Sequence, residues 1–155
     1  MPRYGQVPKK DIPPDPIYRS VLLQKFINKL MEGGKKSKAE KIVYSVLEEL
    51  KKKFNKNPIE VFEKALDNIS PSLEVKARRV GGATYQVPVE ISKARGQALA
   101  MQWIRQSCRS KKGSMIENLT AEMADASNGV GGAMKKKEDL HKTAEANKAF
   151  AHFRW

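Results

Sequence analysis

Apolar residues recur along the first half of the chain at helical spacing, and glycine or proline marks the breaks between stripes. Leu23, Phe26, Ile27, Leu30 and Met31 follow the spacing of one helix face as far as Gly33-Gly34. Asp15 followed by Pro16 predicts the N-cap and first residue of this helix. Ser37 with Glu40 reads as a capping box for a second helix, whose stripe is Ala39, Ile42, Val43, Val46, Leu47, Leu50 and Phe54. Asn57, Pro58 and Glu60 open a third helix that turns Phe62, Ala65, Leu66 and Ile69 inward. Ser70-Pro71 closes it, because the residue before a proline is pushed out of the helical region.

The period then drops to that of a strand. Leu73, Val75 and Ala77 alternate with Glu74, Lys76 and Arg78, and beyond Gly81-Gly82 the set Tyr85, Val87, Val89 and Ile91 alternates again. This predicts a β-hairpin at about 72–91, with Pro88 tolerated because a two-stranded ribbon has only edges. Ser92 is placed to cap a fourth helix with Ala94, Ala98, Leu99, Trp103, Ile104 and Cys108 inward and Arg95, Gln102 and Arg105 outward. A basic link from Arg109 to Gly113 leads to a second capping box, Ser114 and Glu117, and a fifth helix with Ile116, Leu119 and Met123. Asn128-Gly129 ends that helix, and a sixth begins near Met134 with the run Lys135 to Lys137.

Residues 1–14 hold Arg3, Lys9 and Lys10 among Pro2, Pro8, Pro13 and Pro14, which block helix and predict an extended basic arm. Residues 149–155 form a tail whose Phe150, Phe153 and Trp155 rings need a groove or a partner surface. The expected fold is therefore mainly α. A single helical domain over 15–148, a bundle of about six helices, carries one protruding hairpin, the arm and the tail.

Charge narrows the function. The 155 residues include 30 Lys plus Arg against 17 Asp plus Glu, a formal charge of +13, which points to a large polyanionic partner. The sequence offers no apolar span for a membrane and no apolar core for a secretory signal. Cys108 is alone and sits among apolar residues, which predicts a buried thiol in a reducing compartment.

Enzymatic motifs are missing. Gly34-Lys35-Lys36-Ser37 looks like the end of a phosphate-binding loop, but the first glycine of that pattern is absent and a helix precedes it. His141 and His152 belong to no metal-ligand cluster, so no cofactor or metal is expected. Carboxylates such as Glu48 have a lysine four residues on, here Lys52, and read as paired on a solvated helix face. Gly129-Val130-Gly131-Gly132 has the spacing of a KH-type backbone clamp, but the flanking segments are helical for too long, leaving a flexible helix-helix joint.

Basic clusters recur at Lys35/Lys36/Lys38, Lys76/Arg78/Arg79 and Arg109/Lys111/Lys112, in loops, helix ends and the hairpin. Lys51 to Lys53 is assigned mainly to structure, since cations are favoured at a helix C-terminus. Arg78-Arg79-Val80-Gly81-Gly82 sets two guanidinium groups beside a glycine turn at the end of a projecting ribbon. Such groups make planar, bidentate phosphate contacts and stack on bases.

The segment PSLEVKARRVGGATYQVPVEI, residues 71–91, closely resembles the hallmark of the ribosomal small-subunit protein number seven family. Residues 15–44 and 135–155 resemble that family's N-terminal and C-terminal signatures. The resemblance implies a non-enzymatic helical bundle that binds the 3′ major domain of small-subunit ribosomal RNA early in assembly and organises the subunit's head. By position, Arg3, Lys9, Lys10, Lys35, Lys36, Lys38, Lys76, Arg78 and Arg95 are candidate ribosomal RNA contacts, extended by Arg105, Arg109 and Lys111. Arg79, Gly81, Gly82 and Gln86 are expected near the exit site, towards tRNA and messenger RNA. Neighbouring ribosomal proteins, including one on the platform, are the other expected partners. The expected place is the ribosome in the cytoplasm, bacterial by preference, with the chloroplast stroma second. A free-standing DNA-binding regulator and a basic RNA-processing enzyme are the competing classes.

Overall fold

In a computed structural model that describes residue 5 and residues 11–153, the first helix begins later than Asp15-Pro16 predicts. Asp15 is fully buried, and its Oδ2 accepts the N–H groups of Ile17 at 3.1 Å and Tyr18 at 2.9 Å, making a local turn. Its Oδ1 accepts the Tyr44 hydroxyl at 2.7 Å, and Arg19 follows with a left-handed φ of 53° that no helix can absorb. The helix, α1, is Val21–Leu30, capped by the Ser20 hydroxyl. The second, α2, is Lys36–Phe54 and starts ahead of the expected box: Lys35 is the N-cap and makes no side-chain cap bond, so Ser37 lies inside the first turn. The pair Glu48–Lys52 does not form an ion pair; the i,i+4 pair in α2 is Lys36–Glu40 at 3.6 Å.

The third helix, α3, is Pro58–Ile69 with Asn57 as N-cap, as the sequence predicts. Its inward face meets α1 through Phe26 and Phe62, whose rings are 5.4 Å apart. Further on, α4 spans Lys93–Ser110, α5 Met115–Ser127 and α6 Gly132–Ala146. The central helix is α5, which packs on α2, α3 and α4 through Leu119, Met123 and Ala126. Ser114 caps it, donating no bond itself but accepting the Ile116 N–H at 3.3 Å.

The buried side of α4 differs from the apolar stripe. Gly96, Ala100, Met101, Ile104, Ser107 and Cys108 are buried, whereas Ala94 is exposed and Ala98, Leu99 and Trp103 are only part-buried. Small and polar residues occupy the closest approach to neighbouring helices, and hydrophobic patterning does not register them. Ser92 holds the N-cap position without a side-chain bond. Burial pushes the Cys108 thiol up to about 12, which makes it inert.

The joint between α5 and α6 is pinned. Glu122 has no solvent exposure, and its Oε2 accepts Lys111 Nζ at 2.6 Å while Oε1 accepts the Ala133 N–H at 2.7 Å. Gly132 lies so close to α4 that a Cβ there would stand 2.3 Å from Ser107 Oγ. This close approach draws α6 back to Gly132, ahead of the Met134 start that the sequence suggests. Burial pushes the Glu122 carboxyl up, but Lys111, the Ala133 N–H and Ser107 outweigh it and hold it below its usual range. The same bond pushes Lys111 up.

The strands β1, Leu73–Val80, and β2, Ala83–Glu90, pair antiparallel around Gly81 and Gly82, whose φ values of 58° and 89° fit a type I′ turn. Register sets Arg78 opposite Tyr85 and Lys76 opposite Val87. Directly opposed residues share a face, so the apolar sets of the two strands lie on opposite faces of the ribbon. The face with Tyr85 and the fully buried Val87 packs on α6 and on a 3-10 turn, Lys148–Phe153. Tyr85 lies 5.0 Å from Phe150 and 5.3 Å from Phe153, ring centre to ring centre, so two of the tail's rings find their groove on the hairpin.

Two predictions follow from these contacts. Lys111→Met leaves a buried carboxylate unpaired and should cost about 3–5 kcal/mol, whereas Glu122→Gln keeps the Ala133 bond and frees an ammonium already part-exposed, costing about 1–3 kcal/mol. In the parent, Glu122 contributes stability that is lost as pH falls through its lowered value, and Lys111 contributes stability that is lost as pH rises through its raised value. In Lys111→Met burial raises the carboxyl instead, so urea titrations should show that variant gaining stability between neutral pH and the carboxylate range; equal costs with no gain would refute the pairing. Phe150→Ala should raise amide exchange along β2 about five- to tenfold and leave α2 unchanged, since the lost ring contacts hold the ribbon and not the core.

Candidate nucleic-acid interface

The basic residues fall into groups that their internal partners distinguish. At the turn between α1 and α2, Lys35 and Lys38 line a cleft with Arg109 from the far end of α4. Its floor is apolar, with Leu30, Met31, Ala39, Ile42 and Met115. Lys36 and Lys38 stand in the first turn of α2, not in a loop, and are exposed. Arg105 lies one helical turn before Arg109 and donates from NH1 to the Lys29 carbonyl at 3.2 Å, joining α4 to α1. Arg109 forms an ion pair with Glu32, an exposed pairing that contributes little and that an arriving phosphate can displace.

A second group surrounds the base of the hairpin. Glu74 accepts Lys76 Nζ at 3.2 Å and Arg95 at 3.1 Å through both Nε and NH2, tying β1 to α4. Burial pushes the Glu74 carboxyl up, and the Lys76 and Arg95 bonds more than offset it, leaving it below its ordinary value. Two cations on one carboxylate leave one positive charge over. Further out, Arg78 and Arg79 are exposed, and among the described residues no carboxylate pairs with either. They project from opposite faces: Arg78 shares its face with Tyr85, and Arg79 shares the outer face with Thr84 and Gln86. Arg79, Gln86, Gly81 and Gly82 are all exposed around the turn.

Lys111 is placed differently. Its ammonium is committed to the buried Glu122, so it serves the fold. In the run on α6, Lys136 bonds Gln106 Oε1 at 2.9 Å, and Lys137 bonds the Asn68 carbonyl at 2.5 Å. Arg3, Lys9 and Lys10, with Trp155 of the tail, lie outside the described residues. Sequence reading missed Met115 as part of the cleft floor, because the cleft is assembled from segments that patterning treats separately. It also missed Glu122, for which one signal exists: the residue stands between Leu119 and Met123 on the apolar side of α5. Among the described residues no His, Cys, Asp and Glu group could hold a metal, and no helix is long and apolar enough to cross a membrane.

Comparison with known proteins places the chain in a family. The family model for ribosomal protein S7p/S5e matches residues 2–148. The small ribosomal subunit protein uS7 of Carboxydothermus hydrogenoformans is 60% identical, with both chains covered over their full length. The uS7 proteins of Pelotomaculum thermopropionicum and Acetivibrio thermocellus are 58% and 57% identical, again over the whole of each chain. The chain belongs to the ribosomal protein S7p/S5e family and is a structural, non-enzymatic component of the small ribosomal subunit.

Proposed function

We propose that the chain is a primary binder of the 3′ major domain of small-subunit ribosomal RNA and nucleates assembly of the head. The observation that carries this reading is the gathering of Lys35 and Lys38 with Arg109, from a distant part of the sequence, around one cleft in which Glu32, paired with Arg109, is the one carboxylate among the described residues. Bringing like charges together opposes folding, and a polyanion is what offsets that repulsion. The apolar floor between them suits an unstacked base, and the exposed lysines suit its phosphates. Lys36, Arg105 and the surplus charge of Lys76 and Arg95 widen the surface, while Arg3, Lys9 and Lys10 extend it along the arm. Lys111 drops out of the contact set, because its charge is spent within the fold.

The hairpin is assigned to the exit site. Arg79 and Gln86 on the outer face, with Gly81 and Gly82 at the turn, would face tRNA and messenger RNA, and Arg78 would meet ribosomal RNA from the other face. Neighbouring ribosomal proteins, one of them on the platform, complete the surroundings. The curated relatives named above are bacterial, which supports a bacterial ribosome as the place of action.

The test is binding of the purified chain to a 3′ major domain transcript at rising salt, with unrelated folded RNA as competitor. Log affinity should fall with log salt at a slope of roughly −0.7 to −0.9 per phosphate neutralised, and the unrelated RNA should compete poorly. Lys35→Gln/Lys38→Gln should reduce that slope by about 1.5 without loss of stability. Lys111→Gln should do the reverse, lowering stability and leaving the slope of the folded protein alone. A flat salt response, or equal competition by any folded RNA, would remove the proposal.

A further inference from the structure

At its far end from the Lys35/Lys38/Arg109 cleft, roughly 27 Å along α2 at 1.5 Å per residue, a second set of cations gathers. Lys51, Lys52, Lys53 and Lys56 are exposed there. The helix C-terminus accounts for cations in its last turn, but Lys56 lies beyond the helix, and the end of a helix does not account for a cleft. Tyr18, Lys51, Asn55, Lys56, Asn57 and Pro58 line an open cavity of about 520 Å³. The nearby carboxylates, Asp15, Glu48 and Glu49, are outnumbered by Lys51, Lys52, Lys53, Lys56 and Arg19. Asp15 accepts the Tyr44 hydroxyl and two backbone N–H groups, and Glu49 accepts the Thr120 hydroxyl at 2.7 Å, so both carboxylates are turned into the fold while keeping their charge. Glu48 lines a neighbouring hollow with Lys51, Lys52 and Asn55.

The aromatic floor is held firmly. Tyr18 is half-buried, its ring centre 6.3 Å from that of Tyr44, and its phenol is kept neutral by burial and by the Glu48 and Asp15 charges. Arg19, the next residue, keeps a left-handed backbone at a φ of 53°, where glycine would be unstrained. Among the described residues the only other non-glycine in that region is Asn55, φ 50°, an ordinary helix C-cap that lines the cleft. Strain that a substitution to glycine would remove tends to persist where the side chain does something.

We propose that this cleft is a second RNA contact, taking one unstacked nucleotide from a strand other than the one at the α1–α2 turn. The base lies on the Tyr18 ring, the Asn55 amide and the amide nitrogen of Asn57, whose oxygen caps α3, meet its edge, and Lys51 and Lys56 take the flanking phosphates, with Arg19 following Tyr18 in the chain as a further donor. Lysines alone would serve an acidic protein segment; a ring with two amides beside them matches a nucleotide. The inference rests on the chain being an RNA binder, and it adds a clamp: contacts at both ends of α2 hold two RNA segments at a fixed separation.

The full-length chain is titrated with the 3′ major domain transcript. Lys51→Gln/Lys56→Gln should lower the salt slope by about 1.5 and the affinity about tenfold, while Lys53→Gln/Lys64→Gln, the same loss of two charges outside the cleft, should change affinity less than about twofold. Tyr18→Leu should weaken binding about fivefold or more, and Tyr18→Phe, which keeps the stacking face and controls for folding, should bind as the parent does. If Lys51→Gln/Lys56→Gln binds normally while Lys35→Gln/Lys38→Gln is weakened, the second contact is wrong and the proposed function survives. If neither pair matters, both fall. Equal losses in Lys53→Gln/Lys64→Gln and in the cleft variant would reduce the site to general charge and overturn it.

Discussion

A carboxylate without any exposure to water sits where α4, α5 and α6 meet, and the placement of everything after it depends on its neutralisation. Glu122 would resist burial alone, because desolvating an ion costs several kcal/mol that only close partners offset. Lys111 from the link after α4 and the Ala133 N–H at the start of α6 supply those partners. The N-terminus of α6 is thereby fixed against α4, at a distance that Gly132 permits and a larger residue would not. Since α6 and the 3-10 turn after it back the hairpin, the aim of Arg78 and Arg79 traces to that one buried charge.

The same pairing logic divides the cations by task. Lys111 spends its charge on Glu122, Lys137 keeps its charge but ties its ammonium to the Asn68 carbonyl, and Arg95 and Lys76 share Glu74. Lys35, Lys38, Arg78 and Arg79 are exposed, and among the described residues no carboxylate pairs with them. A protein with a formal charge of +13 carries this repulsion as a standing cost, and ribosomal RNA is the partner that would relieve it. Lys35, Lys38, Arg78 and Arg79 thus stand at a turn, a helix end and the hairpin, where they can reach phosphates together.

Much of this was legible in the sequence, for identifiable reasons. The stripes of α1, α2 and α3 follow helical spacing without interruption, and Gly81-Gly82 between alternating runs leaves little choice but a hairpin. Capping residues were less reliable. Asp15 bonds a turn and Tyr44 rather than a helix end, and Ser37 sits inside the helix it was expected to cap. The closest contacts of α4 run through Gly96 and Ser107, which carry no hydrophobic signal. Which strand face is buried depended on register, and only pairing places Tyr85 beside Arg78. Among the site residues, type and position could be read, but whether a lysine is free or spent is a tertiary fact. Lys35 and Lys111 look alike in sequence and differ in the fold because one of them meets Glu122.

The most direct measurement is lysine acetylation of the chain, read by mass spectrometry, with and without the 3′ major domain transcript. The account predicts that Lys35 and Lys38 react readily alone and are protected by the RNA, while Lys111 and Lys137, already bonded inside the fold, react slowly in both states. Protection spread evenly over all lysines, or strong RNA protection confined to Lys111 and Lys137, would contradict it.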